Sequence, residues 1–271
     1  MEHTHIQALP QIASCESLNK DEFLTRFGRP NIPFMLKNGV KDTPAMQKWD
    51  WDFFAKQYGT RPVIVYRTSN RNRFEKMTFK EYIDYIHNNE DTDPLYLLDW
   101  FVGTNCPELV ADYSVPQYFD SWLDKFTPVS KFLAFYIGPK NSASKLHIDI
   151  LSTNAWNAVF RGQKLWVFYP KDQTKFIYNG KVNPFKPNYE KYPLFKQAKG
   201  FYVLQNPGDL VFTPSNWWHG VYNTEHTLSL TDNFINSSNI KQVISHFVPS
   251  TLHLIKRSWH RRHQEYNKSG I

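Results

Sequence analysis

The chain has 271 residues, 41% of them hydrophobic and 17% aromatic, which excludes a disordered polymer and allows one large domain or two modest ones. Its net charge of +7 leaves room for an anionic partner. The two cysteines, Cys15 and Cys106, lie outside any metal spacing and fit an intracellular protein, cytoplasmic or nuclear, although a disulfide between them stays open. The opening MEHTHIQALPQIASCES lacks the basic and apolar regions of a leader. No apolar run approaches the roughly 20 residues of a membrane span, so a soluble protein without a membrane partner is expected.

In chain order, Asn19-x-x-Glu22 reads as a capping box opening a short helix that ends near Gly28. Trp49–Tyr58 reads as a second helix, followed by a strand over Pro62–Tyr66. Thr78-x-x-Glu81 caps a third helix, with Phe79, Tyr82, Ile83 and Ile86 on one face. The acidic turn Glu90-Asp-Thr-Asp93 then leads into the apolar run Leu95–Leu98.

From about Lys131, short aromatic and β-branched runs alternate with turn signals, the pattern of an antiparallel barrel or sandwich. Strands are expected at Phe132–Ile137, His147–Leu151, Ala155–Phe160, Lys164–Tyr169, Gly208–Thr213, Trp217–Tyr222 and Thr227–Asn233. Asn206-Pro-Gly-Asp209 has the order of a type II turn. The connection from about Pro170 to Lys199 reads as a surface excursion. Near the C-terminus, Ile240, Val243, Ile244 and Phe247 share one helical face, and Leu252, Ile255 and Trp259 another. Lys256, Arg257, Arg261, Arg262 and Lys268 make this end basic: an RNA or acidic-protein patch, or simply a solvated helix face.

His-x-acid occurs twice, at His147-Ile-Asp149 and His263-Gln-Glu265, and about one match arises by chance from 10 His and 25 acidic residues. Context separates the two. In a helix, residues two apart diverge by about 200° and cannot share a metal. In a strand they point to one side, as expected for His147 and Asp149. His219, in Pro214-Ser-Asn-Trp-Trp-His-Gly220, is the candidate third ligand of a 2-His-1-carboxylate site, which leaves coordination positions open. Lys164 shares a strand face with Trp166 and Phe168, with no acid nearby in sequence. A lysine pointing inward there needs an anion, whereas one at a strand edge snorkels to water. Thr227, Ser229, Thr231 and Asn233 form a polar face better suited to a ligand than to a core.

Taken in order, His147-Ile-Asp149, Thr153-Asn-Ala-Trp-Asn-Ala158, Gly162-Gln-Lys-Leu-Trp166, Asn206-Pro-Gly-Asp209 and Trp217-Trp-His219 resemble the JmjC-domain oxygenases, lysyl hydroxylases in particular. The resemblance is dense from about Asp93 to Asn233 and weaker from Arg29 to Tyr58. It implies a mainly β fold, a double-stranded β-helix (jelly roll, cupin-like) with flanking helices. A mixed N-terminal part would cover 1–92, the core 93–235 and a basic helical segment 236–271. His147, Asp149 and His219 would bind Fe(II). Tyr96, Lys164 and Thr231 would hold the distal carboxylate of 2-oxoglutarate, and Asn157 its metal-binding end. Asp99, Trp218 and Asn233 match positions near the pocket.

The departures are Ile150, where that branch has proline, and Ser215-Asn216, where it has two glycines. The implied activity is O2-dependent hydroxylation of a protein side chain, lysine foremost, in a basic polypeptide drawn to the acidic turn at 90–93. Two alternatives are an oxygenase acting on tRNA, favoured by the basic end, and a cupin-like module that binds without redox chemistry.

Overall fold

The computed structural model describes residues 3–126 and 130–247. Its strands are, in chain order, β1 (Ala13–Cys15), β2 (Phe34–Leu36), β3 (Pro62–Arg67), β4 (Asn70–Thr78), β5 (Leu95–Phe101), β6 (Ala134–Gly138) and β7 (Ala143–His147), then β8 (Asn154–Arg161), β9 (Lys164–Tyr169), β10 (Phe201–Gln205), β11 (Leu210–Thr213), β12 (Trp218–Asn223) and β13 (Thr227–Phe234). Nine of them form one sheet in the order β1-β2-β11-β8-β13-β6-β5-β3-β4, and the other four form a second, β10-β9-β12-β7. Apart from β1 with β2, these strand pairings are antiparallel. The two sheets do not close into a barrel, and the architecture is the expected mainly β jelly roll.

Alternation along the strands explains the layering. On β13, Leu228, Leu230 and Phe234 turn outward into the main core, with Phe135 and Ile137 of β6, Trp156 and Phe160 of β8, and Phe212 of β11. Thr231 and Asn233, with the opposite parity, line a cavity between the sheets. Helices cover the outer face of the large sheet. α1 (Lys20–Phe23) is closed by the reciprocal Asn19–Glu22 capping box, α2 (Trp51–Tyr58) by Asp50, and α3 (Phe79–Asn88) by the Thr78–Glu81 box. They bury Phe23, Phe54, Tyr58, Phe79, Tyr82, Ile83 and Ile86 in the same core. The excursion after β9 covers the small sheet, packing Ile177, Val182, Phe185 and Phe195 onto Leu146, Leu165 and Val167.

Two expectations shift. The strand expected over His147–Leu151 lies earlier, over Ala143–His147, and Leu151 and Ser152 adopt φ of 53° and 54°, where no strand continues. The predicted apolar face of the last helix is split: in the helix spanning 240–247, Val243 is buried but Ile244 and Phe247 are exposed. Leu252, Ile255, Trp259 and the basic cluster after them lie outside the described residues. The Asn206–Asp209 turn forms as its sequence requires. Gly208 has φ 91°, and Asp209 donates its N–H to the Asn206 carbonyl at 3.0 Å.

Candidate metal centre and its cavity

Pairing of β12 with β7 sets His219 directly opposite His147. Their rings lie 4.1 Å apart. Asp149 follows just beyond the end of β7, in extended conformation (φ −64°, ψ 152°), and precedes the short turn Ile150–Ser152 without a side-chain hydrogen bond to it. So the pair is presented by a strand end and not by a continuous strand. Asp149 Oδ1 stands 3.7 Å from the Nε2 of each histidine. The three ligand atoms lie within 4.8 Å of one another.

The hydrogen bonds of the two rings fix their chemistry. His147 Nδ1 faces the Lys145 carbonyl at 2.8 Å and His219 Nδ1 the Trp217 carbonyl at 3.2 Å. A carbonyl only accepts, so each Nδ1 carries the proton and each Nε2 offers a lone pair toward Asp149. Burial, with the neighbouring His147 ring second, pushes His219 down to about 4, which keeps it neutral as a metal ligand must be. Asp149 Oδ2 is buried without a hydrogen-bond partner among the described residues. A carboxylate with one oxygen facing two Nε2 lone pairs and the other buried without a partner is the donor set of a divalent cation, and the three residues fit Fe(II).

The second half of the cavity centres on Lys164. The residue is 1% exposed, and its Nζ donates to Tyr96 Oη and Asn223 Oδ1, each at 3.0 Å. Both partners are neutral, and burial alone pushes the amine down to about 7. Of the two readings open in the sequence, the inward-pointing lysine is the one observed. Asn157 Oδ1, lining the same cavity, is also buried without a partner. Thr231, paired with Asn157 across β13 and β8, donates its hydroxyl to the Trp156 carbonyl at 2.6 Å. A cavity with a cation at one end and metal donors at the other suits an oxoacid carrying two carboxylates, and 2-oxoglutarate fits.

The remaining expected residues are more dispersed. Asn233 lines the cavity, with its amide donated to Thr153 Oγ1 at 2.9 Å. Asp99 does not line the cavity itself but accepts from the hydroxyl of Tyr136, which does, at 2.5 Å. Trp218 lies on the opposite face of β12 from His219, its indole N–H on Thr174 Oγ1 at 2.9 Å, packed against the cover of the small sheet. In the acidic turn, Asp91 is paired with Arg67 at 2.6 Å, and Asp93 accepts two bonds from Ser69. The pull of that turn on a basic chain is therefore smaller than its composition implies.

Two residues of this region escaped sequence reasoning. Asn223 bonds Lys164 directly, and Tyr136 lines the cavity. Counting in twos from His219 reaches Asn223, but ending the strand at Tyr222 cut it off. Tyr136 sits among apolar neighbours and carried no signal of its own.

The comparisons agree with this geometry. A family model described as a cupin-like domain matches residues 20–243. The chain belongs to that family. Over 248 residues it is 32% identical to the bifunctional arginine demethylase and lysyl-hydroxylase psr-1 of Caenorhabditis elegans, covering 84% of this chain and 61% of the relative. It is 31% identical over 254 residues to the lysine-specific demethylase JMJ21 of Arabidopsis thaliana (88% and 26%). It is 29% identical over 266 residues to the 2-oxoglutarate and iron-dependent oxygenase JMJD4 of Gallus gallus (87% and 62%). The chain thus spans less than two thirds of each of these relatives. The JmjC likeness read from its motifs extends over most of its own length. No helix among the described residues is long and apolar enough to cross a membrane.

Proposed function

We propose that this protein is an Fe(II)- and 2-oxoglutarate-dependent oxygenase that hydroxylates a protein side chain, lysine foremost. The observation that carries the reading is Lys164: a fully buried amine with only neutral partners, in one cavity with His147, Asp149 and His219. A buried cation is costly until an anion joins it, so the fold is prepared for a carboxylate. A module that only binds has no use for three metal donors with an orphaned oxygen beside that lysine.

When bound, iron and 2-oxoglutarate supply the oxidising power: O2 is consumed, the oxoacid leaves as succinate and CO2, and one oxygen atom enters a C–H bond. The chain's own residues hold and orient. The Lys145 and Trp217 carbonyls lock both imidazoles with Nε2 toward the metal position. Lys164, Tyr96 and Thr231 would hold the distal carboxylate and Asn157 the chelating end. Trp166 lines the cavity beside His219, backed by Phe168 stacked on it at 5.7 Å, and this apolar wall helps keep water out.

The cavity-lining residues all fall between Tyr96 and Asn233, which supports reading 93–235 as the catalytic core with 1–92 and 236–271 flanking it. The names of the relatives support a polypeptide substrate. A basic polypeptide is the partner we favour, held at the rim more than by the 90–93 turn, where Arg67 already pairs with Asp91.

The test is mass spectrometry of lysine-rich peptides and of a tRNA pool, each incubated with enzyme, Fe(II), 2-oxoglutarate and O2. One added oxygen on unmodified lysine supports the reading. Modification confined to tRNA, or methyl loss from methylated arginine or lysine without hydroxylysine, overturns it.

A further inference from the structure

β5 alternates between two environments. Leu95 and Leu97 face the main core, while Tyr96 faces the cavity. Continued regularly, that alternation sends Asp99 into the core with Leu97. Instead the β5–β6 register breaks between Leu97 and Trp100, and Asp99 adopts φ 58°. This bulge returns Trp100 to the core and turns the Asp99 carboxylate to the cavity rim, where it accepts the Tyr136 hydroxyl at 2.5 Å. Tyr136 lines the metal cavity, its ring 6.3 Å from that of Tyr96. The Asp99 side chain is 41% exposed, and its one cationic partner among the described residues is Arg71, itself 58% exposed and 3.4 Å away. Such a long, solvated contact is weak.

The Asp99 carboxylate, the Tyr136 hydroxyl oxygen whose proton is already committed to it, and the Tyr136 ring together present acceptors and a π-face. That chemistry suits a cation. We infer that Asp99 and Tyr136 form the subsite that receives the ammonium group of the target side chain, and that Arg71 occupies it until the substrate arrives. The inference rests on the hydroxylase reading and adds a specificity determinant to it: the enzyme selects an amine by charge at the rim, and Arg71 competes for that position.

The competition gives the test an unusual signature. The protein is loaded with Mn(II) and 2-oxoglutarate without oxygen and titrated by NMR with two blocked tripeptides, glycyl-lysyl-glycine and its norleucine analogue. The wild type should bind the lysine peptide more tightly than its neutral norleucine analogue. Asp99→Asn should weaken binding of the lysine peptide about tenfold and leave the norleucine peptide unaffected. Arg71→Ala should tighten the lysine peptide about two- to fivefold, because a competitor is removed. Tyr136→Phe should fall between Asp99→Asn and the wild type.

If Asp99 and Arg71 merely brace the β4 end against β5, both variants weaken both peptides alike, and the inference fails. Equal wild-type affinity for the two peptides overturns it as well. A separate outcome, no succinate formed when protein loaded with Fe(II) in place of Mn(II) meets 2-oxoglutarate, lysine peptide and oxygen, would count against the hydroxylase reading while leaving the binding pattern to decide this one.

Discussion

Lys164→Met should make the ligand-free protein more stable at neutral and lower pH, the reverse of most substitutions in a core. Burial lowers the amine from its ordinary 10.5 to about 7, and that gap corresponds to about 5 kcal/mol. The unfolded chain binds the proton more tightly than the folded one between these values. The penalty is therefore complete below pH 7 and is relieved as pH rises through 7 toward 10.5. Methionine removes the charge but forfeits the bonds to Tyr96 and Asn223, at about 1 kcal/mol each. The net gain is about 2–3 kcal/mol at pH 6, or roughly 5–10 °C in Tm for a chain of this size. From pH 6 to pH 9 the advantage should shrink by about 3 kcal/mol. Thermal unfolding in EDTA, across that pH range, with and without 2-oxoglutarate, reads all of this. The wild type should be stabilised by 2-oxoglutarate and the variant not. A variant less stable than the wild type at pH 6, with an unchanged pH profile, refutes the account of a buried cation awaiting an anion.

Asp149→Ala should abolish stoichiometric Fe(II) or Mn(II) binding, measured by metal analysis after desalting, with Tm within a few degrees of the wild type, since Oδ2 has no hydrogen-bond partner among the described residues and Oδ1 only two long 3.7 Å contacts. Gly138→Ala places a Cβ 2.5 Å from the Tyr96 ring, so it should displace that ring, lower Tm and weaken 2-oxoglutarate binding by calorimetry, with metal binding retained. Thr231→Val removes a hydroxyl that would rotate from the Trp156 carbonyl to the distal carboxylate, and it should weaken 2-oxoglutarate by about 1–3 kcal/mol, a milder defect than Lys164→Ala in the same titration. Thr78→Ala removes one arm of the α3 capping box and should cost about 1 kcal/mol in urea unfolding without touching ligand binding.

What the sequence revealed follows the strength of its periodic signals. β8, β9, β12 and β13 have alternating or wholly apolar faces, and they were found to within a residue or two. β4 is polar and solvated along most of its length, so nothing in Asn70–Thr78 announced a strand that is held by pairing with β3. β1 and β2 are three residues each, too short for a period to show. The cluster of His147, Asp149 and His219 was legible because residue type and order sufficed to bring the three together. The Asp99 bulge was not, because a break in register between two strands belongs to their pairing and to neither sequence alone.

β7 lies at the margin of the small sheet, with a neighbouring strand on one side only among the described residues. Such a margin is normally adhesive, an invitation for another chain to zip on. Here the Ala143 amide is already given to Thr68 Oγ1, and the Lys145 carbonyl is taken by the ring of His147. The bond that selects the tautomer of a proposed metal ligand thus also occupies a polar group on the margin. Loss of the imidazole in His147→Ala would free that carbonyl, so a variant made to empty the metal position should also leave a stickier protein, more prone to self-association on warming.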